Sequence, residues 1–137
     1  MSVDGTDCKI FEPQPFDPKW FSHKFKVPGL RYEVGLCIAT GHIVWVNGGY
    51  PCGEWPDLRI AKDELIYFLR RGEKVIADGG YNNQLFFITP NGLNNDESYR
   101  QSVIRARHET VNRRFKQFNI LGSRFRHNIE KHSDCFY

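Results

Sequence analysis

A hairpin near the middle of the chain most constrains its fold. Leu30 to Ala39 alternates and is rich in strand formers, Thr40-Gly41 gives a turn signal, and His42 to Asn47 reads as the return strand. The other elements are read around that pair. Residues 1–10 read as an earlier strand, interrupted in character by Asp4-Gly5-Thr6-Asp7. Residues 11–28 mix prolines with Phe11, Phe16, Trp20, Phe21 and Phe25, the composition of an ordered but irregular segment packed on the body. Gly48 to Gly53 reads as a loop. Trp55-Pro56-Asp57 then opens a helix, with Leu58, Ala61, Leu65, Phe68 and Leu69 on one face and Gly72 placed to cap its end. Lys74 to Ala77 reads as a short buried strand ending at Asp78. Gln84 to Thr89 reads as another, stopped by Pro90-Asn91-Gly92. Asn95-Asp96-Glu97 starts a long final helix with Val103, Ile104, Val111, Phe115 and Phe118 as its apolar face. Residues 119–137 form a basic, aromatic tail with no assigned structure.

Length and charge narrow the possibilities. A chain of 137 residues with 40% hydrophobic side chains supports one domain with a real core. No apolar run approaches membrane-spanning length and no signal peptide opens the chain, so no membrane partner is expected. Cys8, Cys37, Cys52 and Cys135 form no Cys-x-x-Cys pair and read as buried thiols of a reducing compartment. The net charge of +3 is unevenly spread: residues 100–137 carry nine basic and three acidic side chains. A positive face of this kind suits a polyanionic partner, and it equally suits a solvated helix surface.

Three acids stand at suggestive places. Asp4 and Asp78 end strand-like runs, and Glu109 lies in the basic helix. Oxygen ligands are what a hard cation such as Mg²⁺ takes, and a pair of such ions can clamp both oxygens of a phosphodiester displacement. The chain has 16 acids, and each of these three also reads as a surface charge. Asp57, at a helix start, competes with Asp78 as second acid. It also reads as N-terminal helix electrostatics. On a helix Glu109 shares a face with Arg105, Asn112, Arg113 and Lys116. That face reads either as an ion-pair ladder or as a carboxylate ligand flanked by phosphate-binding cations. His23 reads as a packed or exposed side chain, and His108, turned about 100° from Glu109, as a weak metal candidate.

The element order, early strands running into a helix and back to a strand, suits an α/β protein with a ribonuclease-H-like mixed sheet flanked by helices. It also suits other α+β domains. The motifs are more specific. Asp4-Gly5-Thr6, Tyr32-Glu33-Val34-Gly35, Gly53-Glu54-Trp55-Pro56-Asp57, Ala77-Asp78-Gly79-Gly80-Tyr81 and the helix from Arg105 to Lys116 together resemble the catalytic domain of DDE-superfamily transposases. They are most similar to the PIF/Harbinger-like endonucleases. The resemblance covers nearly the whole chain.

That resemblance implies Asp4, Asp78 and Glu109 as catalytic metal ligands for two Mg²⁺ or Mn²⁺ ions, with Asp57 the alternative second acid. The implied chemistry is DNA hydrolysis followed by strand transfer. Arg105, Arg107, Arg113, Arg114 and Lys116 are the implied DNA contacts. Relatives carry a Tyr three residues before the Arg of this helix, where Ser102 stands here. Residues 1–137 are expected to form a single DDE catalytic domain, incomplete at both ends and lacking an N-terminal DNA-binding domain, thus a solo or truncated member. Its partners would be DNA, with a separate DNA-binding protein or a homodimer partner, in the nucleus. The competing expectation is a catalytically inactive DNA-binding remnant of a transposase, and a ribonuclease acting on RNA–DNA hybrids shares the fold.

Overall fold

The structure, a computed structural model, describes residues 1–91 and 93–137. Its centre is a sheet of six strands: β1 (Ser2–Lys9), β2 (Phe21–Ser22), β3 (Val27–Leu36), β4 (Ile43–Pro51), β5 (Val75–Ile76) and β6 (Phe87–Ile88). β3 pairs antiparallel with β1, β2 and β4, whereas β1, β5 and β6 run parallel. Apart from β2, the strands therefore lie in the order β4-β3-β1-β5-β6. This is a mixed α/β architecture compatible with a ribonuclease-H-like fold.

Alternation along the strands divides the core into two layers. Cys8, Ile10, Leu30, Tyr32, Val34 and Leu36 face one way. They are covered by α3 (Asn95–Gln117), α4 (Asn119–Gly122) and α5 (His132–Phe136), which contribute Phe115, Leu121 and Phe136. Val3 faces the other way with Val75, Ala77, Tyr81 and Phe87, beneath Ala61 and Leu65. Those two come from a helical stretch that begins as α1 (Asp57–Ile60), passes through a π-helical turn (Ala61–Leu65) and ends as α2 (Ile66–Phe68). Full burial of an aliphatic side chain such as Leu65 contributes about 1.5–3 kcal/mol.

Several expectations change. β4 runs on to Pro51 and takes in residues expected as loop. A register shift beside Tyr32 accommodates it, and Gly48, at φ +147°, sits where a Cβ would come 2.6 Å from the Tyr32 Cα. β3 starts at Val27, because β2 turns back onto it. The run Gln84–Thr89 supplies only the two-residue β6, and Gly92 of the expected Pro90-Asn91-Gly92 stop lies outside the described residues. Phe68, expected on the buried helix face, is 70% exposed, because the helix leaves its regular geometry before reaching it. The tail is structured: Phe125 bridges in parallel to Ile10, and α5 closes the chain. The four cysteines are free, with Cys8 and Cys52 buried, Cys37 half-buried and Cys135 exposed on the short last helix. Among the described residues no helix is long and apolar enough to cross a membrane.

Candidate active site

The parallel pairing of β1 with β5 brings two acids together. Ser2 stands opposite Ile76, and the Ile76 amide donates to the Met1 carbonyl at 3.1 Å. Two residues further along each chain come Asp4 and Asp78. Neighbouring strands lie about 4.8 Å apart, so equal steps along a parallel pair leave these residues side by side. The consequence appears in ionisation. The Asp4 carboxyl is pushed up to about 6, first by burial and next by the negative charge of Asp78.

The third side of the site is α3, which runs alongside β1 in the same direction. Val111 and Phe115 of α3 pack on the core, and a row of polar contacts ties the helix to β1. Ser2 Oγ and His108 Nε2 lie 2.9 Å apart. Asn112 Nδ2 donates to Asp4 Oδ2 at 3.3 Å, and Lys116 Nζ donates to the Asp7 carbonyl oxygen. Burial lowers His108 to about 4, so it is a neutral, interior hydrogen-bonding group. Glu109 is the next residue and is exposed toward a cleft of about 510 Å³. Asp4, Asp78 and Glu109 line that one cleft, together with the cations Lys24, Arg105, Arg113 and Lys116. Arg107 turns elsewhere and donates to the Ile38 carbonyl, and Arg114 is exposed and is not among the cleft-lining residues. His23 is exposed beside Phe21.

Asp57 occupies a different layer. It starts α1, on the sheet face opposite α3, and presses into the space left by a missing side chain. A Cβ on Gly5 would lie 2.2 Å from Asp57 Oδ1, and one on Gly80 would lie 3.4 Å from Oδ2. Asp57 therefore sits behind β1 and the segment that carries Asp78, rather than among the residues lining the cleft. Its carboxyl is raised by burial, with Arg31 lowering it and Asp78 raising it further. Arg31 Nε lies 3.5 Å from Asp57 Oδ1 and 2.7 Å from Asp7 Oδ1. Burial would raise Asp7, but hydrogen bonds from Arg31 and Ser22 outweigh it and hold the carboxyl low. The Asp7–Arg31 pair fixes β1 to β3 beneath the site. Asp7 was visible only as one acid of a turn-like motif, and Arg31 as one polar residue in an alternating strand. Nothing in the sequence marks the two as partners.

Among the described residues no three His, Cys, Asp or Glu side chains gather closely enough to hold one ion. What the cleft does present is two adjacent aspartates, a glutamate on another wall, and cations around them.

Fold and site together define a mixed α/β protein whose sheet carries acids into a cleft walled by a basic helix. Residues 3–137 match the sequence model of the family described as DDE superfamily endonuclease, and the chain belongs to that family, one of transposase-type nucleases. Comparisons with curated proteins and with solved structures returned no match.

Proposed function

We propose that the chain is the catalytic domain of a PIF/Harbinger-like DDE transposase, cutting DNA by metal-dependent hydrolysis and joining strands by transesterification in the nucleus. The observation that carries this reading is the shared cleft of Asp4, Asp78 and Glu109 with Lys24, Arg105, Arg113 and Lys116 around them. Carboxylates and cations in one hollow suit a phosphodiester better than a neutral substrate, since its backbone needs counter-charge.

The residues fit a divalent cation in chemistry. Their donors are carboxylate oxygens, the ligands of Mg²⁺ and Mn²⁺. The Asp4 carboxyl is raised by burial first and by the Asp78 charge next, and a cation would stabilise its ionised form against both. Asp4 and Asp78 would hold the ion, with Glu109 as the third carboxylate from α3. When bound, such ions supply the Lewis-acid charge for phosphodiester displacement, two of them serving the attacking and leaving oxygens.

The chain's own side chains do the rest. Asn112 orients Asp4 through its amide. Lys24, Arg105 and Arg113 bind the phosphates on either side of the cut. Asp57 and Arg31 hold the acid-bearing strand ends from behind. Asp4 must be ionised to ligate, so affinity for the ion, and with it activity at subsaturating metal, rises with pH through the region near 6.

Nicking of supercoiled plasmid in Mg²⁺ or Mn²⁺ tests the reading. Asp78→Asn should slow it by roughly 100-fold or more, while DNA affinity changes by less than about threefold. The absence of a gathered three-ligand set among the described residues favours a second reading, a DNA-binding remnant without chemistry. Under that reading the wild-type chain binds DNA and nicks no faster than Asp78→Asn.

A further inference from the structure

Three lysines converge on one aromatic ring beside the acid cleft. The Nζ atoms of Lys9, Lys116 and Lys24 lie 5.2, 5.9 and 6.0 Å from the centroid of Phe25. They come from three elements: β1, α3 and the turn joining β2 to β3. Among the described residues none of the three forms an ion pair with a carboxylate. Lys116 is held by the Asp7 carbonyl and by Cys8 Sγ at 3.2 Å, both uncharged partners. Cation–π attraction to a shared ring offsets part of the mutual repulsion. An anion between the ammonium groups would offset far more.

The turn that carries Phe25 and Lys24 is anchored. Ser22 is fully buried, and its hydroxyl donates to Asp7 Oδ2 at 2.6 Å and accepts from the Phe25 amide at 3.3 Å. The Lys26 amide donates to the Ser22 carbonyl at 2.8 Å. Through Asp7 the turn is tied to Arg31 and so to the centre of the sheet. Phe25 and Lys116 also line two hollows at once: the acid cleft, and a neighbouring one of about 200 Å³ that includes Lys9 and Gly122. The lysines thus mark the passage between them.

We propose that Lys9, Lys24 and Lys116, gathered around the Phe25 ring, form a subsite for a non-scissile phosphate of the DNA strand as it leaves the acid cleft. The proposal rests on the reading of that cleft as DNA-cleaving. Lysine ammonium groups are point charges without the planar fork of arginine, so the subsite grips backbone and carries no base preference. Phe25 is the ring that the three ammonium groups share, each within about 6 Å of its centroid.

Binding measured without cleavage tests this apart from the chemistry. Fluorescence anisotropy of a labelled single-stranded DNA 30-mer with the full chain, in EDTA, reads affinity over about 50–200 mM salt. The double variant Lys9→Gln/Lys24→Gln should bind roughly 10–30-fold more weakly at the low-salt end, and its slope of log affinity on log salt should fall by about one. The double variant Lys62→Gln/Lys74→Gln removes the same charge outside both hollows. It should lose less than about threefold, with an unchanged slope. Lys24→Gln alone, at an exposed turn position, should lose roughly threefold to fivefold and guards against misfolding of the pair. A Lys9/Lys24 variant that behaves like the Lys62/Lys74 variant, or a Lys24→Gln chain that binds like wild type, overturns the subsite. Plasmid nicking that survives Asp78→Asn would sink the catalytic reading and leave the subsite standing. A wild-type chain with no affinity for DNA would sink both.

Discussion

Asp4 is a residue whose ionisation works against the metal-free fold. Its carboxyl is raised to about 6, by burial first and by Asp78 next. A pKa raised in the folded state means that the contribution to stability is fully present below about pH 4 and is lost as pH climbs through about 6. A shift of roughly two units corresponds to about 3 kcal/mol. Asp4→Asn is therefore expected to stabilise the metal-free protein by on the order of 2 kcal/mol at pH 7, with the gain gone by about pH 4. Urea unfolding at the two pH values measures it. Equal stabilities at pH 7 would remove the account of Asp4 as a carboxylate strained by burial and by its neighbour Asp78. In the proposed metal-binding role, a bound cation would offset that cost. The sequence placed Asp4 and Asp78 at strand ends; Asp78 does lie just past β5, whereas β1 runs on through Asp4 to Lys9. It could not show them side by side, since that depends on the parallel register of Ser2 with Ile76 across more than seventy residues of chain.

At the scale of elements, α3 explains both what was legible and what was not. Its start was readable because the chemistry is local. Asn94 accepts from the Glu97 amide at 2.9 Å, and the Glu97 carboxylate accepts from the Asn94 amide at 3.2 Å, a reciprocal cap three residues apart. Asn94→Ala should cost about 1 kcal/mol in thermal or urea unfolding, and an unchanged midpoint would show that α3 is held by the sheet alone. The face that meets the sheet was harder to read. Val103 and Phe118, expected inside, are 43% and 65% exposed. The buried positions are Gln101 and His108, followed along the same stripe by Asn112 and Lys116. Val111 and Phe115, also expected inside, do pack against the core, but an apolar-stripe search passes over the polar row, whose hydrogen bonds to β1 build the cleft wall. The side-chain geometry around Glu109 was nonetheless available from the helical repeat alone. Arg105, Asn112, Arg113 and Lys116 share its face and share its cleft.

For the whole molecule, the decisive division is between the two faces of the sheet. One face carries α1, α2 and Asp57; the other carries α3, α4, α5 and the acid cleft. The basic C-terminal third belongs to the second face, so positive charge is delivered to the side that opens on Asp4. That arrangement depends on the last residues of the chain, which seemed a tail by composition. Phe136 stacks on Tyr32 with centroids 3.8 Å apart and planes 2° apart, and lies 5.1 Å from Phe115 of α3. Tyr32 Oη and His132 Nδ1 are 2.7 Å apart, and burial lowers His132 to about 4, so the contact is between neutral groups. A five-residue helix has no stability of its own and persists only through such packing. Phe136→Ala is expected to destabilise the protein by about 3–4 kcal/mol, since it empties a site between a strand and α3. Tyr137→Ala, at a position 69% exposed, should cost less than about 1 kcal/mol. Chemical denaturation of the two variants compares them directly. Similar losses would mean that the C-terminal segment rests on the surface. A large loss confined to Phe136 would mean that the final helix locks α3, and with it Glu109 and the cations of the cleft, onto the sheet.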